Sequence, residues 1–280
     1  MFIDNNTSSE FFNQNNAKSV KNISPLRYPG GKTRACKTLD LNLCQHFNVF
    51  DFENIVSPFF GGGSFEFYLQ NKYGYGIIAN DKFAPLHNFW SICKIQPNEL
   101  CSALHEIREN LDKDKFLEFR KSIMAEHDEL KKALMYFSIN RCSFSGSTLS
   151  GGFSQESSKK RFTSSSISRI EKLNLERFEI SNLDFEEFIN QNIGEKNLIF
   201  LDPPYYLEKK SRLYGKDGDM HEHFNHDKLY DCISTKKNWL MTYNDCSYIR
   251  KKYADFKILE AAWSYGMNKS KTSSEIIIIG

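Results

Sequence analysis

Apolar residues fall into two patterns along the chain, short continuous runs and longer stretches at helical spacing, and the two alternate. Asn54-Ile55-Val56-Ser57-Pro58-Phe59-Phe60 is a short run. Gly61-Gly62-Gly63-Ser64 and a largely apolar block over 65–69 follow it, the order of a strand, a glycine turn and a helix. Gly76-Ile77-Ile78-Ala79-Asn80 is a second run and ends in Asp81. Leu100, Leu104, Ile107 and Leu111, then Leu130, Leu134, Met135 and Phe137, keep helical spacing inside a stretch over 86–139 that reads as largely helical. Helices are also predicted over 33–47, after a Pro-Gly-Gly turn, and over 166–173. Short runs then return at Phe178-Glu179-Ile180, at 197–201 ending in Asp202, at 238–243 ending in Asn244-Asp245, and at 275–279. Strands alternating with helices predict an α/β sheet with helices on both faces. Gly61, Gly62, Gly63, Asp81, Asp202 and Asn244 collect just past the carboxyl ends of the predicted strands, the edge where open α/β sheets bind ligands.

Two parts break the alternation. Residues 1–22 are rich in Asn, Ser and Gln without sustained periodicity, which predicts a mostly disordered leader. Between 140 and 168, Ser, Gly and basic residues dominate, which predicts a loop or hairpin at the surface. The division that follows is a leader over 1–22, one sheet domain over 23–90 and 170–280, and an inserted, mainly helical domain over 91–169.

The chain has 280 residues, of which 40% are hydrophobic, enough for one good-sized core or for a core with an inserted lobe. Its net charge of +2, from 37 Lys and Arg against 35 Asp and Glu, neither demands nor excludes a nucleic-acid partner, so clustering must decide. Seven cysteines are an odd number with no C-x-x-C pair, which favours reduced thiols over a disulfide framework or a zinc site. No apolar run reaches membrane-spanning length and no secretory signal opens the chain, so a cytoplasmic protein without membrane attachment is expected. His221, His223 and His226 stand at H-x-H-x-x-H spacing, yet no second cluster supplies ligands; they read as a polar loop entering a helix, and no metal is expected.

Four short blocks carry chemistry. In Asp202-Pro203-Pro204-Tyr205 an apolar strand delivers an acid, two prolines and an aromatic. Proline fixes φ and has no N–H, so the loop is stiff and its carbonyls are free to accept. An acid and a carbonyl can bind both hydrogens of an exocyclic amine while the aromatic stacks on the base. In Phe60-Gly61-Gly62-Gly63-Ser64 the glycines let a ligand touch the backbone. Asp81, about 20 residues on at the next strand end, can meet ribose hydroxyls. Arg27-Tyr28-Pro29-Gly30-Gly31-Lys32 sets an aromatic and a lysine around a glycine turn, able to cover an adenine and meet a carboxylate. Asn140-Arg141-Cys142-Ser143-Phe144-Ser145-Gly146, with Lys159-Lys160-Arg161, suits phosphate and base-edge contacts. Each block alone also fits a plain turn or solvated loop; their order in one chain is more specific than any of them.

Taken together, these blocks resemble the D12-class, Dam-like adenine-N6 DNA methyltransferases, over nearly all of 24–280 and in the motif order of the alpha subgroup. The text over 209–226 and Tyr243-Asn244-Asp245 also look familial. The resemblance implies a Rossmann-like S-adenosylmethionine-dependent methyltransferase sheet with an inserted target-recognition domain. It implies S-adenosylmethionine held by Tyr28, Gly31, Lys32, Phe60, Gly61, Gly63, Asp81 and Asp202, catalysis by Asp202, Pro203, Pro204 and Tyr205, and DNA contacts from Asn140, Arg141, Ser145, Lys159, Lys160 and Arg161. The implied partner is double-stranded DNA, with a cognate restriction endonuclease acting on the same site and a monomeric state. The implied reaction flips the adenine out of the duplex and transfers the methyl group directly. The alternatives are N4-cytosine or RNA methylation, or a catalytically silent nucleic-acid-binding protein of the same fold; an acid-first loop favours adenine. One position departs from the pattern: many relatives carry Asp or Glu where this chain has Ser57, an acid that can help place the methionine amino group, so a neighbour must substitute or Ser57 must serve alone.

Overall fold

The strands form a single seven-stranded sheet among the described residues of the computed structural model, which are 21–206, 224–264 and 272–280. In chain order the strands are β1 (Asn54–Ser57), β2 (Gly76–Asn80), β3 (Phe178–Ser181), β4 (Asn197–Leu201), β5 (Trp239–Asn244), β6 (Lys257–Ser264) and β7 (Thr272–Ile279). They lie side by side as β3-β2-β1-β4-β5-β7-β6. The first five are parallel, and β7 inserts antiparallel between β5 and β6. Strand order therefore reverses between β1 and β4. In such a sheet the ligand crevice lies at that switch point, outside the carboxyl ends of the strands.

Period-two burial builds the two faces. Along β4, Leu198 and Phe200 enter one hydrophobic cluster while Ile199 and Leu201 enter another; along β7, Ile277 and Ile279 separate from Ile276 and Ile278 in the same way. The first face is covered by α1 (Cys36–His46), α2 (Ser64–Tyr73) and α3 (Ala84–Ile95), and the second by α9 (Phe185–Gln191), α10 (His226–Ile233) and α11 (Ser247–Lys252). Between β2 and β3 the chain adds α4 (Pro97–Asn110), α5 (Lys113–Ser122), α6 (Glu129–Cys142), α7 (Gln155–Arg161) and α8 (Ser164–Glu171). Their apolar residues share one cluster with the sheet: Phe89 stacks on Phe137, and Trp90 meets Phe60 and Phe178. Local signals set the starts of these helices. Asp112, Asp128 and Asp184 cap α5, α6 and α9, and Thr163 with Ser166 forms a capping box on α8. No helix among the described residues is long and apolar enough to cross a membrane.

Three local features differ from the sequence expectation. Where a loop or hairpin is predicted, residues 155–161 form α7, and strand-like pairing is limited to one bridge between Ser143 and Phe153. That helix is polar all round, so periodicity cannot reveal it; the Ser154 cap and the flanking Phe153 and Phe162, packed on Phe116 and Phe137, hold it. No strand is predicted over 257–264, where β6 forms; its apolar residues do not alternate, as on an edge strand paired on one side. Asn22, placed in the leader by composition, is folded in. It is buried and exchanges hydrogen bonds with Gln70, Asn71 and Asn174 at 2.5–2.8 Å. Residues 1–20 lie outside the described residues.

Candidate active site at the carboxyl edge of the sheet

The glycine turn after β1 is shaped by its neighbours. Gly61 and Gly63 adopt φ of +51° and +64°, a region that costs L side chains energy, and a Cβ on Gly61 would stand 2.7 Å from the ring of Tyr28. Asp81, just past β2, fixes this turn. Its Oδ2 accepts the Gly61 N–H and its Oδ1 the Phe83 N–H, each at 2.9 Å. Burial pushes the Asp81 carboxyl up to about 6, against the pull of those two N–H groups. Trp90 Nε1 donates to the Gly61 carbonyl at 3.0 Å and closes the turn from below. Asn80, also buried, donates to the carbonyls of Pro58 and Leu183 at 3.1 Å and accepts the Leu183 N–H at 2.8 Å, so it staples the loops after β1 and β3 together.

Across the crevice, Asp202 follows β4 directly. Lys32 Nζ donates to both of its carboxylate oxygens at 2.7 Å and to the Gly30 carbonyl at 2.9 Å. Thr242 Oγ1, from β5, donates to Oδ1 at 2.7 Å. The lysine side chain is 3% exposed and the aspartate 22%, so the pair is open on the aspartate side alone. Two sequence blocks 170 residues apart thus meet as one ion pair at the mouth of the crevice. Tyr205 lies beside it, with the Lys32 ammonium 5.1 Å from its ring centre, and its hydroxyl donates to Glu275 Oε2 of β7 at 2.5 Å. Pro203 is buried. Tyr206 stacks on Tyr248 at 4.3 Å, and the Asn244 amide donates to the Tyr206 carbonyl at 2.9 Å. The structure therefore brings Tyr28, Gly31, Lys32, Phe60, Gly61, Gly63, Asp81 and the 202–205 loop to one edge.

The segment after α6 is built differently. Asn140 is fully buried: its Oδ1 accepts the Arg27 N–H at 3.0 Å, and its Nδ2 donates to the Arg27 and Gly146 carbonyls at 2.7 and 3.4 Å. Arg141, also buried, donates from Nε to the Arg161 carbonyl at 2.8 Å and from Nη1 to the Pro25 carbonyl at 3.1 Å. Burial, then Arg169, Arg27 and Arg161, pull its guanidinium down to about 10. These two residues face inward and tie the segment to the chain entering the 28–32 turn. Gly146 sits so close to the Arg27 carbonyl that a Cβ would come within 2.6 Å of its oxygen. Exposed positions on the same segment are Phe144, 69% exposed, and Lys159, Lys160 and Arg161 on α7. The side chain of Ser145 lies outside the described residues, as do His221 and His223; His226 is hydrogen-bonded to the Tyr243 hydroxyl.

Sequence reasoning passes over Thr242, Glu275 and Glu66. Each is a polar residue in or beside an otherwise apolar block, which is the one signal that singles it out. It also passes over Asp184 and Phe185, which open α9 at the same edge. Burial works to raise Asp184, but Lys82 and Lys228 outweigh it and hold its carboxyl down at about 2. Phe185 packs on Phe59 and Phe224 at 5.7 and 5.5 Å.

A family model described as D12 class N6 adenine-specific DNA methyltransferase matches residues 28–267. The Type II methyltransferase M.MjaIII of Methanocaldococcus jannaschii is 24% identical over 198 residues, which cover 64% of this chain and 68% of that protein.

Proposed function

The chain belongs to the D12-class N6-adenine-specific DNA methyltransferases, and from that premise we propose how its edge residues divide the work. As a member it methylates adenine N6 in DNA and requires a methyl donor, which we take to be S-adenosylmethionine. The residues fit such a donor. The 61–63 turn is packed under the Tyr28 and Phe60 rings at the strand ends, and Asp81 keeps lone pairs beyond the two N–H groups it accepts, enough for ribose hydroxyls. Tyr28, Gly31, Lys32, Phe60, Gly61, Gly63 and Asp81 would hold it. When bound, the donor supplies a methyl group on a cationic sulfur.

The observation that carries the reading is Asp202, held at the open end of the crevice by Lys32 and Thr242. Its remaining lone pair, on Oδ2, and the Pro203 carbonyl accept the two amino hydrogens of an adenine turned out of the duplex, which leaves the nitrogen lone pair directed at the methyl group. Lys32 keeps the carboxylate in place and supplies its counter-charge. Tyr205 stacks on the base, with Glu275 fixing the direction of its hydroxyl. Holding the reactants aligned in a closed site supplies most of the acceleration. Phe144, Lys159, Lys160 and Arg161 meet DNA directly, while Asn140 and Arg141 act from beneath by fixing the segment that bears them. A restriction endonuclease reading the same site is the expected cellular counterpart. The test is Asp202→Ala: methyl transfer to mixed-sequence DNA, followed by nucleoside identification, should fall to background in protein that thermal unfolding shows still folded at the assay temperature. The unfolding midpoint should be lowered, because the variant strands the buried Lys32 ammonium. Transfer close to the wild-type rate would overturn these roles.

A further inference from the structure

Glu66 is a buried carboxylate that the chemistry above does not use. It lies in the first turn of α2 between Phe65 and Phe67 and is 2% exposed. Its side chain turns back to β1, where Ser57 Oγ donates to Oε1 at 2.6 Å. Ser57 is itself fully buried and is the last residue of β1, next to the crevice. The charged and titratable groups around Glu66 are Lys32 before α1, Cys36 on α1 and Asp202 after β4. A hydroxyl whose proton is fixed on a carboxylate must turn its lone pairs the other way, so with Glu66 ionised Ser57 is left as an acceptor with a negative charge behind it.

We propose that Ser57 and Glu66 act as one unit, a hydroxyl backed by a carboxylate, which binds the ammonium group at the amino-acid end of the methyl donor. The assignment rests on the donor reading above and explains how this chain manages without an acid at position 57. The energetics of the donor-free state agree. An ionised carboxylate in such a place needs more than one strong partner. Burial, with a smaller push from Asp202, raises the Glu66 carboxyl to about 7, against the Ser57 hydroxyl, the backbone and Lys32. Near neutral pH the protein without donor therefore holds a proton on Glu66 much of the time. An ammonium group drawn to Ser57 favours the ionised form, and the proton passes to the buffer. Donor binding below about pH 7 then releases a proton, and affinity rises with pH until Glu66 is ionised. Asp81, at about 6, releases its own proton in a lower range.

Calorimetric titration of the full chain with S-adenosylmethionine, in buffers of different ionisation enthalpy between about pH 6.5 and 8, reads both effects without turnover. Glu66→Gln should bind about tenfold or more weakly and release no proton in that range. Adding Ser57→Asp to Glu66→Gln should restore much of the affinity. Should Glu66→Gln fail to fold, Ser57→Ala leaves the carboxylate in place and should weaken binding several-fold while moving proton release to higher pH. Wild-type affinity and proton release in Glu66→Gln, or in Ser57→Ala, overturn the assignment. A wild-type protein that binds no S-adenosylmethionine at any pH overturns the donor reading, and this one with it; a wild type that binds, beside a Glu66→Gln variant that binds equally, overturns this one alone.

Discussion

The carboxyl edge of the sheet and the segment after α6 are both rich in charge, yet they use it in opposite ways. At the edge, a buried cation meets a carboxylate: Lys32 with Asp202, open to the crevice on one side. In the segment, the buried cation meets neutral backbone: Arg141 spends its donors on the Pro25 and Arg161 carbonyls. A paired charge that remains reachable can act on a ligand. A charge whose donors point inward at carbonyls can only hold chain to chain, leaving contact to its exposed neighbours. The same residue types therefore divide into reacting and supporting roles according to what they face.

The sharpest way to break this contrast is to remove the cation at each place. Among the described residues, Lys32→Ala leaves Asp202 with Thr242 as its side-chain donor and no paired cation. Methyl transfer should fall by about 10²-fold or more, with donor affinity reduced as well, because a half-buried carboxylate loses its counter-charge and its fixed orientation. Single-turnover transfer, with donor titration alongside, measures both. Activity within a few-fold of wild type would place the working charge elsewhere.

In the segment the corresponding change should strike folding first. Arg141→Leu leaves the Pro25 and Arg161 carbonyls without that donor, and Asn140→Ala removes three hydrogen bonds that join α6 to Arg27 and Gly146. Each should cost about 2–4 kcal/mol in urea unfolding, since buried polar groups are stranded. DNA affinity should then be lost in proportion to the loss of folded segment. If either variant keeps wild-type stability and loses DNA binding alone, the residue is a contact and not a support.

The same contrast explains what could be read from the sequence. At the edge, each working block is contiguous, Tyr28 to Lys32, Phe60 to Ser64, Asp202 to Tyr205, and sits where an apolar run stops, so pattern and chemistry mark one place. The sheet was legible for the same reason, because β1, β2 and β4 are buried on both faces and read as unbroken apolar runs. In the segment, composition is silent on direction. Asn and Arg among serines and glycines fit an exposed loop as well as a buried clamp, and the partners that decide are the backbones of Pro25 and Arg27, more than a hundred residues away. Glu66 was illegible for a related reason: its partner Ser57 is nine positions back, across a turn whose shape the sequence does not state.

The edge also differs in holding acids out of their usual range, which makes its stability depend on pH. Glu66, at about 7 in the folded chain against an ordinary 4.5, and Asp81, at about 6 against 3.8, both bind a proton more tightly folded than unfolded. Their contribution is full below the unfolded values and is lost as pH rises through about 6 to 7. Glu66→Gln should therefore gain stability relative to wild type between pH 5 and 8, by on the order of 2 kcal/mol at the upper end. Chemical denaturation across that range checks it. A difference that does not change with pH would mean that Glu66 is not held in its protonated form by the fold.

The smallest effects on stability belong to the exposed side of the segment, and they separate charge from shape. Lys159→Ala and Lys160→Ala touch helix surface, where Lys160 also pairs with Glu156 at 3.0 Å, so each should alter unfolding by no more than about 0.5 kcal/mol. If they meet phosphates, each should weaken DNA binding evenly across sequences and lower the slope of log affinity against log salt by about 1. Phe144→Ser, at a position 69% exposed, should leave both stability and the salt slope unchanged. A ring contributes through stacking or wedging, which salt does not screen, so its loss should appear as a constant factor in affinity at every salt concentration. Measured together, the three variants give two signatures from one surface. A Phe144→Ser variant that lowers the salt slope as the lysines do would mean that the ring orders the basic helix instead of meeting DNA. Three variants with wild-type affinity would move the DNA to another face and leave the inward clamps of Asn140 and Arg141 serving the fold alone.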